Sequence, residues 1–303
     1  SFTFDYAKHK YRYDMKTEEV TKLDTVINKG FGESWKKYSP DSTYILFAQC
    51  HNLYVMGNKD KGKDTTKVQL TSDGEKYFSY FKEEEEVGMD TFPAAPVAVW
   101  MKDSKKVYAL REDTRHVDEL FLVDVMETPR PKVKTYKYSM AGDQKLEKYV
   151  LTVIDVETKE VKTIDTDHWQ DQYVDVLYTS KDGNKIYFDR KTRAFDEQEV
   201  CVADLTTGEV KTLIHEIDKP FMDYKMANIM FLNDGKDIIY RSERTGWGHY
   251  YLYDNEGNFK NAITSGEWVA GPCSDIDTVG RTLYFYALGK DKNIDPYYYI
   301  PCK

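Results

Sequence analysis

Four consecutive glutamates, Glu83, Glu84, Glu85 and Glu86, are the residues whose type and spacing best suit a binding site. Adjacent carboxylates on a loop that faces a cavity can hold an ammonium group through charge-assisted hydrogen bonds. A run of like charges is more often a solvated acidic loop, because the charges repel one another and are well hydrated. The charges alone therefore leave both interpretations open for this acidic run, with the solvated loop the commoner of the two.

Catalytic chemistry has no recognisable motif elsewhere in the sequence. A serine hydrolase carries its nucleophile on a strained turn that reads Gly-x-Ser-x-Gly, and no serine here has that setting. The glycine pairs at Gly30 and Gly32 and at Gly246 and Gly248 lack the third glycine of a phosphate-binding loop. We therefore expect no catalytic residue in this chain.

Metal and cofactor sites are not expected either. The six histidines are scattered, and none belongs to a His-Glu-x-x-His run. The four cysteines lie far apart, without the close spacing that zinc ligands need. Cys50 and Cys201 fall in apolar strand patterns, which predicts buried thiols rather than disulfides.

The net charge of −9 argues against partners that are themselves anionic, namely nucleic acids and acidic membrane surfaces. No apolar stretch approaches the ~18 residues that a membrane helix needs, and no signal-peptide pattern is present. The first residues, 1–5, already have the pattern of a strand. We therefore expect this chain to be a piece of a longer polypeptide.

A repeated unit of β-strands must position these residues. Each copy has a strand, an Asp turn, a strand rich in Tyr, Phe and Ile, a hairpin and a further strand. Copies begin near 35, 99, 177 and 275, with a further copy around 234–254, and their turns contain Asp41, Asp103, Asp182 and Asp234. The spacing is compatible with propeller blades of ~40–50 residues plus insertions. Residues 1–303 are therefore predicted to form one all-β domain, a β-propeller of four-stranded antiparallel blades.

Several details of this propeller are predicted from the same pattern. The second blade is expected to use 99–110 and then 119–124, and the fifth to use 281–286 and 297–299. The first ~30 residues offer two strands and the last blade stops before its outer strand. The ring is therefore either incomplete or closed by pairing of the N-terminal strands with the last blade.

Three insertions interrupt the repeat. Residues 57–67 form a charged, solvated hairpin, residues 81–98 combine the acidic run with a Pro/Ala segment, and the basic segment 129–143 is long enough to leave the blade and return. Arg111 and Arg115, with the acids between them, are expected to form surface ion pairs. Trp247 is either a packed turn residue or part of an interface.

The amino-acid sequence of several segments resembles that of a known family, the N-terminal propeller of dipeptidyl peptidase IV-type proteins in the prolyl oligopeptidase superfamily. The resemblance covers nearly the whole chain, and this version is similar to bacterial members. It rests on Ser-Pro-Asp at 39–41, Arg-Glu-Asp-x-Arg at 111–115, Pro-Arg-Pro at 129–131, and above all Gly-Trp-Gly-His at 246–249 and Thr-Ser-Gly-Glu-Trp at 264–268.

The resemblance implies a function as well as a fold. In that family an eight-bladed propeller caps a C-terminal α/β-hydrolase domain with a Ser, Asp and His triad and controls access to it. A pair of glutamates on an insertion binds the free N-terminal ammonium of the peptide, so that dipeptides or tripeptides are released, often after proline. Members are commonly dimeric and are secreted, periplasmic or membrane-anchored.

The acidic run departs from the family pattern. The family's glutamate pair lies closer to the following Trp-containing strand than Glu83 and Glu86 lie to Trp100, and the Pro/Ala segment does not look like the short helix that presents the pair. The run is either the ammonium site displaced in register or an acidic loop of this lineage. If it is the site, Glu84 and Glu85 are the better candidates within it.

The sequence therefore leads to a principal hypothesis and a rival. The first is the propeller domain of a serine exopeptidase, which gates and orients oligopeptides for a separate α/β-hydrolase domain that releases di- or tripeptides. It implies an oligopeptide substrate, the hydrolase domain and a second copy of the chain as partners, with a periplasmic or cell-envelope location. The rival is a stand-alone periplasmic propeller resembling TolB, which acts as a protein-binding scaffold.

Overall fold

The computed structural model describes residues 1–6, 9–25, 33–82 and 93–303. These residues form 24 strands, all paired antiparallel, and two short 3₁₀ turns at Glu33–Trp35 and Lys59–Lys61. The acidic run and its neighbours, 83–92, lie outside the described residues. The strands form six consecutive sheets, named I to VI, and one separate hairpin.

The first half of the chain forms sheets I to III. Sheet I contains β1 (Phe2–Tyr6), β2 (His9–Asp14) and β3 (Glu19–Thr25). Sheet II contains β4 (Lys37–Tyr38), β5 (Tyr44–Gln49), β6 (Asn52–Gly57) and β7 (Val68–Gln69). Sheet III begins with β8 (Val99–Trp100) and β9 (Lys106–Asp113), after which the chain leaves to form a hairpin, here called the arm, from β10 (Glu119–Asp124) and β11 (Lys132–Lys137). It returns to complete sheet III with β12 (Lys148–Asp155) and β13 (Val161–Ile164).

The second half repeats the plan without a comparable insertion. Sheet IV contains β14 (Gln172–Thr179), β15 (Lys185–Thr192), β16 (Glu197–Asp204) and β17 (Val210–Ile217). Sheet V contains β18 (Ile229–Leu232), β19 (Asp237–Ser242), β20 (His249–Asp254) and β21 (Phe259–Ala262). Sheet VI contains β22 (Val269–Asp277), β23 (Thr282–Leu288) and β24 (Ile300–Cys302).

Sheets II to VI pack face to face in chain order. In β15, Ile186 and Phe188 lie in the apolar cluster shared with sheet III, whereas Tyr187 lies in the cluster shared with sheet V. Successive side chains of a strand point to opposite faces, so alternating large apolar residues bury both faces of a sheet. The architecture is that of a partial β-propeller, as the repeat predicts.

The predicted second blade is wrong in its third strand, because residues 119–124 belong to the arm. Residues 119–124 pair with β11 and not with the blade, and the third strand of sheet III is Lys148–Asp155, paired in register with β9. Leu151 is fully buried in the sheet, whereas Phe121 in the arm is 66% exposed. Both segments are apolar, and only the pairing distinguishes them.

The two ends of the chain also differ from the prediction. The first residues form three strands rather than two. The last strand is Ile300–Cys302, and the predicted tyrosines at 297–299 lie exposed in the connection before it. In the described ranges sheet I pairs with no strand of sheet VI, so no ladder closes the ring there.

The cysteine predictions have a mixed outcome. All four cysteines lie in the described residues, and none forms a disulfide. Cys201 is fully buried, and burial raises the pKa of its thiol to about 11. Cys50 is exposed because it occupies the tight turn between β5 and β6 rather than a strand. The prediction of a buried thiol is confirmed for Cys201 and wrong for Cys50.

The predicted Asp turns connect neighbouring sheets. The Ser39 hydroxyl donates to Asp41 Oδ1 at 2.6 Å, and this bond, with others from Thr43, lowers the pKa of Asp41 to about 2. Ser180 and Asp182 repeat the arrangement at 2.5 Å. Asp234 Oδ1 accepts from the backbone N–H of Lys181 in the preceding sheet at 2.9 Å. The recurring Asp turn therefore has a structural role between blades.

Candidate functional site

Most of the longer connections emerge from one end of the sheets, named here the loop end. Because neighbouring strands run antiparallel, the segment 70–98, the arm, and the connections 165–171, 193–196, 218–228, 243–248 and 263–268 all leave from that end. The Asp turns lie at the opposite end, named the turn end. Loops on a rigid scaffold are where binding residues concentrate, so the loop end is the candidate site.

The base of the acidic run is fixed at the loop end. Ala48, near the end of β5, exchanges backbone hydrogen bonds of 2.8 and 3.0 Å with Ala94, and Phe81 pairs with Pro96. The chain therefore leaves for residues 83–92 from the loop end and returns there. Glu83, Glu84, Glu85 and Glu86 themselves lie outside the described residues.

Arg111 holds the segment that precedes the acidic run. Its side chain is 1% exposed and lies between the rings of Phe78 and Tyr80, 3.7 and 3.8 Å from their centres, and it donates to Asp73 at 2.7 Å. Burial raises the pKa of Tyr80 to about 12. The predicted surface ion pair is therefore wrong for Arg111, because cation–π contacts and tertiary packing bury it.

Arg115 fits the predicted surface pairing. Its side chain is 43% exposed and donates to Asp113 and Glu75, each at 2.5 Å. The two acids raise the pKa of the guanidinium further above its ordinary value. The contact with Glu75 joins segment 70–80 to the end of β9.

A row of aromatic rings at the loop end runs from sheet III across sheet IV to the 218–228 connection. Tyr149 lies 6.1 Å from Tyr173, Tyr173 stacks on Phe195 at 5.3 Å, and Phe195 stacks on Tyr224 at 4.5 Å, all between ring centres. This aromatic row connects sheets III and IV with the 218–228 connection. Stacked rings at such distances attract beyond their buried area.

Carboxylates surround the first part of the aromatic row. Arg193 Nη1 lies 3.6 Å from Asp171 and 3.9 Å from Glu147. Burial, and the neighbouring charge of Glu147, raise the pKa of Glu112 above its ordinary value. A cavity of about 530 Å³ adjoins this group, lined by residues of the arm base and of the 165–171 connection, including His116, Glu147, His168 and Trp169.

A buried ion pair supports the 165–171 connection. Arg190 donates through Nε and Nη2 to Glu199 Oε2, both at 2.7 Å, and the two side chains are 9% and 8% exposed. Arg190 Nη1 also donates to the backbone carbonyls of Thr166 and Asp167 at 3.3 and 3.1 Å. The pair therefore positions the connection that lines the cavity of about 530 Å³.

The Gly-Trp-Gly-His segment joins sheets V and VI. His249 is 1% exposed, its Nε2–H donates to the Gly266 carbonyl at 2.9 Å, and its Nδ1 accepts from the Thr264 hydroxyl at 3.0 Å. The ring also meets Trp268 edge-on at 5.0 Å. His249 and the Thr-Ser-Gly-Glu-Trp segment therefore form one structural joint.

Glycine is required at both positions of that turn, for a different reason at each. Gly246 has φ = +82°, which a residue with a side chain rarely adopts. A Cβ at Gly248 would lie 1.9 Å from Nη2 of the buried Arg241. Trp247 between them is 40% exposed, which does not fit the packed-turn interpretation.

The strand patterns in the sequence did not predict the aromatic row. Its members come from β12, β14 and two connections, and only the stacking of sheets brings them together.

In the described part of the chain, no group of three His, Cys, Asp or Glu residues is placed to hold a metal ion. No helix within those ranges is long and apolar enough to cross a membrane.

The fold is that of a partial β-propeller, and its candidate binding surface is the loop end. Residues 1–303 match the family model "Dipeptidyl peptidase IV (DPP IV) N-terminal region", and the chain belongs to this family.

Individual relatives agree with the family assignment. "Probable dipeptidyl peptidase 4" of Emericella nidulans is 21% identical over 306 residues, which cover 92% of this chain and 38% of the relative. Dipeptidyl peptidase 4 of Arthroderma otae is 27% identical over 115 residues, 37% of this chain and 15% of the relative. The crystal structure of Porphyromonas gingivalis dipeptidyl peptidase 4 superposes with a TM-score of 0.69 at 21% identity, covering 95% of this chain and 40% of that one. The chain therefore spans about two fifths of the length of the relatives that it matches most fully.

Proposed function

We propose that this chain is the propeller domain of a serine exopeptidase, and that it admits and orients oligopeptides for a separate α/β-hydrolase domain. That domain would release N-terminal dipeptides or tripeptides. The proposal is supported by the family membership of residues 1–303. The observation that carries it is that the base of the acidic run and the aromatic row both lie at the loop end.

The chemistry of the loop end suits an oligopeptide. Carboxylates at Glu112, Glu147 and Asp171 attract the positive N-terminus of a peptide, and the base of the acidic run lies at the same end. Aromatic rings offer contact area to peptide side chains and backbone at a low entropic cost. The peptide would thus be held by its charged end while the rings contact its body.

A test of this function uses the longer protein that contains the chain. We expect its gene to encode a Gly-x-Ser-x-Gly motif after Lys303, and the purified protein to release di- or tripeptides from peptides with a free N-terminus. Replacing the serine of that motif with alanine should abolish release, which mass spectrometry of the products would measure. A stop codon shortly after Lys303, or release that survives the replacement, contradicts the proposal.

We propose further that the arm is a contact between two copies of the chain. Phe121, Val123, Met126 and Val133 are 60–85% exposed on a hairpin of only two strands. Such a hairpin is marginally stable alone, and exposed apolar area of this kind commonly marks an interface. A second copy is favoured because the family resemblance implies dimers.

The arm contact can be tested through the oligomeric state. Phe121→Glu with Val123→Glu should convert the dimer to a monomer, because each change would place a charge in the apolar contact. Light scattering coupled to size-exclusion chromatography measures the mass directly. Val161→Glu, which alters an exposed valine of β13, is the matched control. A dimer that persists in the double variant contradicts the assignment.

A periplasmic or cell-envelope location in a bacterium remains part of the same proposal. It is supported by the resemblance to bacterial members of the family. The charge of −9 also makes peptides with a positive N-terminus better partners than nucleic acids. Fractionation of the source cells, followed by immunodetection of the chain, tests the location.

A further inference from the structure

A second cavity at the loop end has a chemistry that the proposed function does not use. It measures about 300 Å³ and lies between sheet IV and the connection that leads into sheet V. Leu177, Met222 and Ile229 supply apolar walls, and the stacked rings of Phe195 and Tyr224 close one side. The volume is at the lower end of small-molecule sites.

Asp189 is the buried charge of this cavity. Its side chain is 3% exposed, and its Oδ2 accepts from Gln198 Nε2 at 2.5 Å and from Lys191 Nζ at 3.1 Å. Its Oδ1 is buried and has no hydrogen-bond partner among the described residues. A buried carboxylate oxygen without a donor is costly, so a donor that reaches it is strongly favoured.

The charges around the cavity favour a cation. Lys191 Nζ is shared between Asp189 and Asp175, which it meets at 2.9 Å, so two carboxylates face a single ammonium. The residues that the 218–228 connection and β18 add to the lining are uncharged. Burial, together with the charge of Asp175, raises the pKa of Asp189, as expected for a carboxylate with too few stabilising partners.

We propose that this cavity binds a primary alkylammonium group, with the nitrogen at Asp189 and the alkyl stem along the apolar walls. An ammonium offers three N–H donors and one positive charge, which match the free Oδ1 and the excess negative charge. The rings of Phe195 and Tyr224 add attraction for a cation. Lysyl side chains and free amines share this chemistry, and only the choice of a peptide as the source rests on the proposed function.

The test measures binding by isothermal titration calorimetry on the 303-residue chain. n-Butylammonium should bind saturably, whereas n-butanol, which has the same stem without the charge, should not. Asp189→Asn should weaken binding of n-butylammonium by about tenfold or more, because a charged hydrogen bond is lost. Glu209→Gln, which removes an exposed carboxylate from the turn end of the same sheet, should leave the affinity unchanged.

A second variant covers the case in which Asp189→Asn fails to fold, as judged by circular dichroism. Ala227→Phe fills the cavity without altering any charge and should abolish binding. The proposal is overturned if n-butylammonium gives no saturable binding. It is also overturned if both variants bind n-butylammonium as the parent chain does, because the amine then binds outside this cavity.

The source of the ammonium follows from one further comparison. N-acetyl-lysine methylamide and N-acetyl-norleucine methylamide differ in the charged group at the end of the side chain. Binding of n-butylammonium and of the lysine compound, but not of the norleucine compound, supports the site with a peptide as its source. Binding of n-butylammonium without the lysine compound supports the site with a free amine as its source. Absence of peptidase activity in the longer protein would reject the proposed function and leave this result unchanged.

Discussion

Glu199→Leu is expected to lower the free energy of unfolding by about 3–5 kcal/mol, because it leaves Arg190 charged and buried without its partner. The two side chains are 9% and 8% exposed, and two hydrogen bonds of 2.7 Å join them. Leucine has a similar size, so the loss reports on the charge rather than on a cavity. Urea unfolding followed by tryptophan fluorescence measures the change.

The partner change provides the decisive comparison. Arg190→Met combined with Glu199→Leu should recover much of the loss, because replacing both members of a buried pair with apolar residues is often nearly neutral. Recovery should be incomplete, since the carbonyls of Thr166 and Asp167 lose their donor. A double variant as unstable as Glu199→Leu alone would show that the unpaired charge is not the cause.

An exposed pair serves as the control. Lys211 and Glu256 meet at 2.5 Å, but their side chains are 46% and 60% exposed. Glu256→Gln should therefore give no resolvable change in the same urea experiment, because solvent already screens that pair. The contrast between the two pairs isolates the effect of burial.

Glu84→Gln with Glu85→Gln, made in the longer protein, is expected to raise KM for peptides with a free N-terminus by about tenfold to a hundredfold. The physical reason is the loss of charge-assisted hydrogen bonds to the N-terminal ammonium. Peptides with an acetylated N-terminus lack that charge and should be cleaved as by the parent enzyme. Initial-rate kinetics on matched free and acetylated peptides measure the difference.

The same acidic run supplies a matched control for this prediction. Glu83→Gln with Glu86→Gln removes an equal number of charges, two, from the same segment, and we expect a smaller rise in KM. Equal effects of both pairs would indicate a general attraction to negative charge. If the Glu84 and Glu85 variant treats free and acetylated peptides just as the parent does, the run is not the ammonium site.

The repeat and its alternation were sufficient to predict the architecture. Period-2 runs such as 186–188 place large apolar residues on both faces of a strand, which only stacked sheets can bury. The recurrent Asp turns also have a local cause, the Ser–Asp hydrogen bonds seen at Ser39 and Ser180. Local patterns of this kind depend on residues close in sequence and can therefore be predicted from the sequence.

Features that depend on partners distant in sequence could not be predicted in the same way. Residues 119–124 and 148–155 are both plausible third strands, and only the in-register pairing of β12 with β9 decides between them. The sequence predicted Arg111 at the surface, but Phe78 and Tyr80, from a different segment, enclose its side chain. The sequence predicted a buried Cys50, but the turn between β5 and β6 leaves this residue exposed.

The amino-acid sequence by itself determined the all-β propeller, the Asp turns between blades and the family, because strand periodicity and turn chemistry act over a few residues. Tertiary structure alone decided the arm, the aromatic row and the cavity at Asp189. The aromatic row and the cavity unite side chains from different sheets, and the arm lies outside sheet III because β12 is the strand that pairs with β9. The stacking of sheets has no local signature in the chain. The physical reason is that charge and burial at the loop end are set by neighbours remote in sequence.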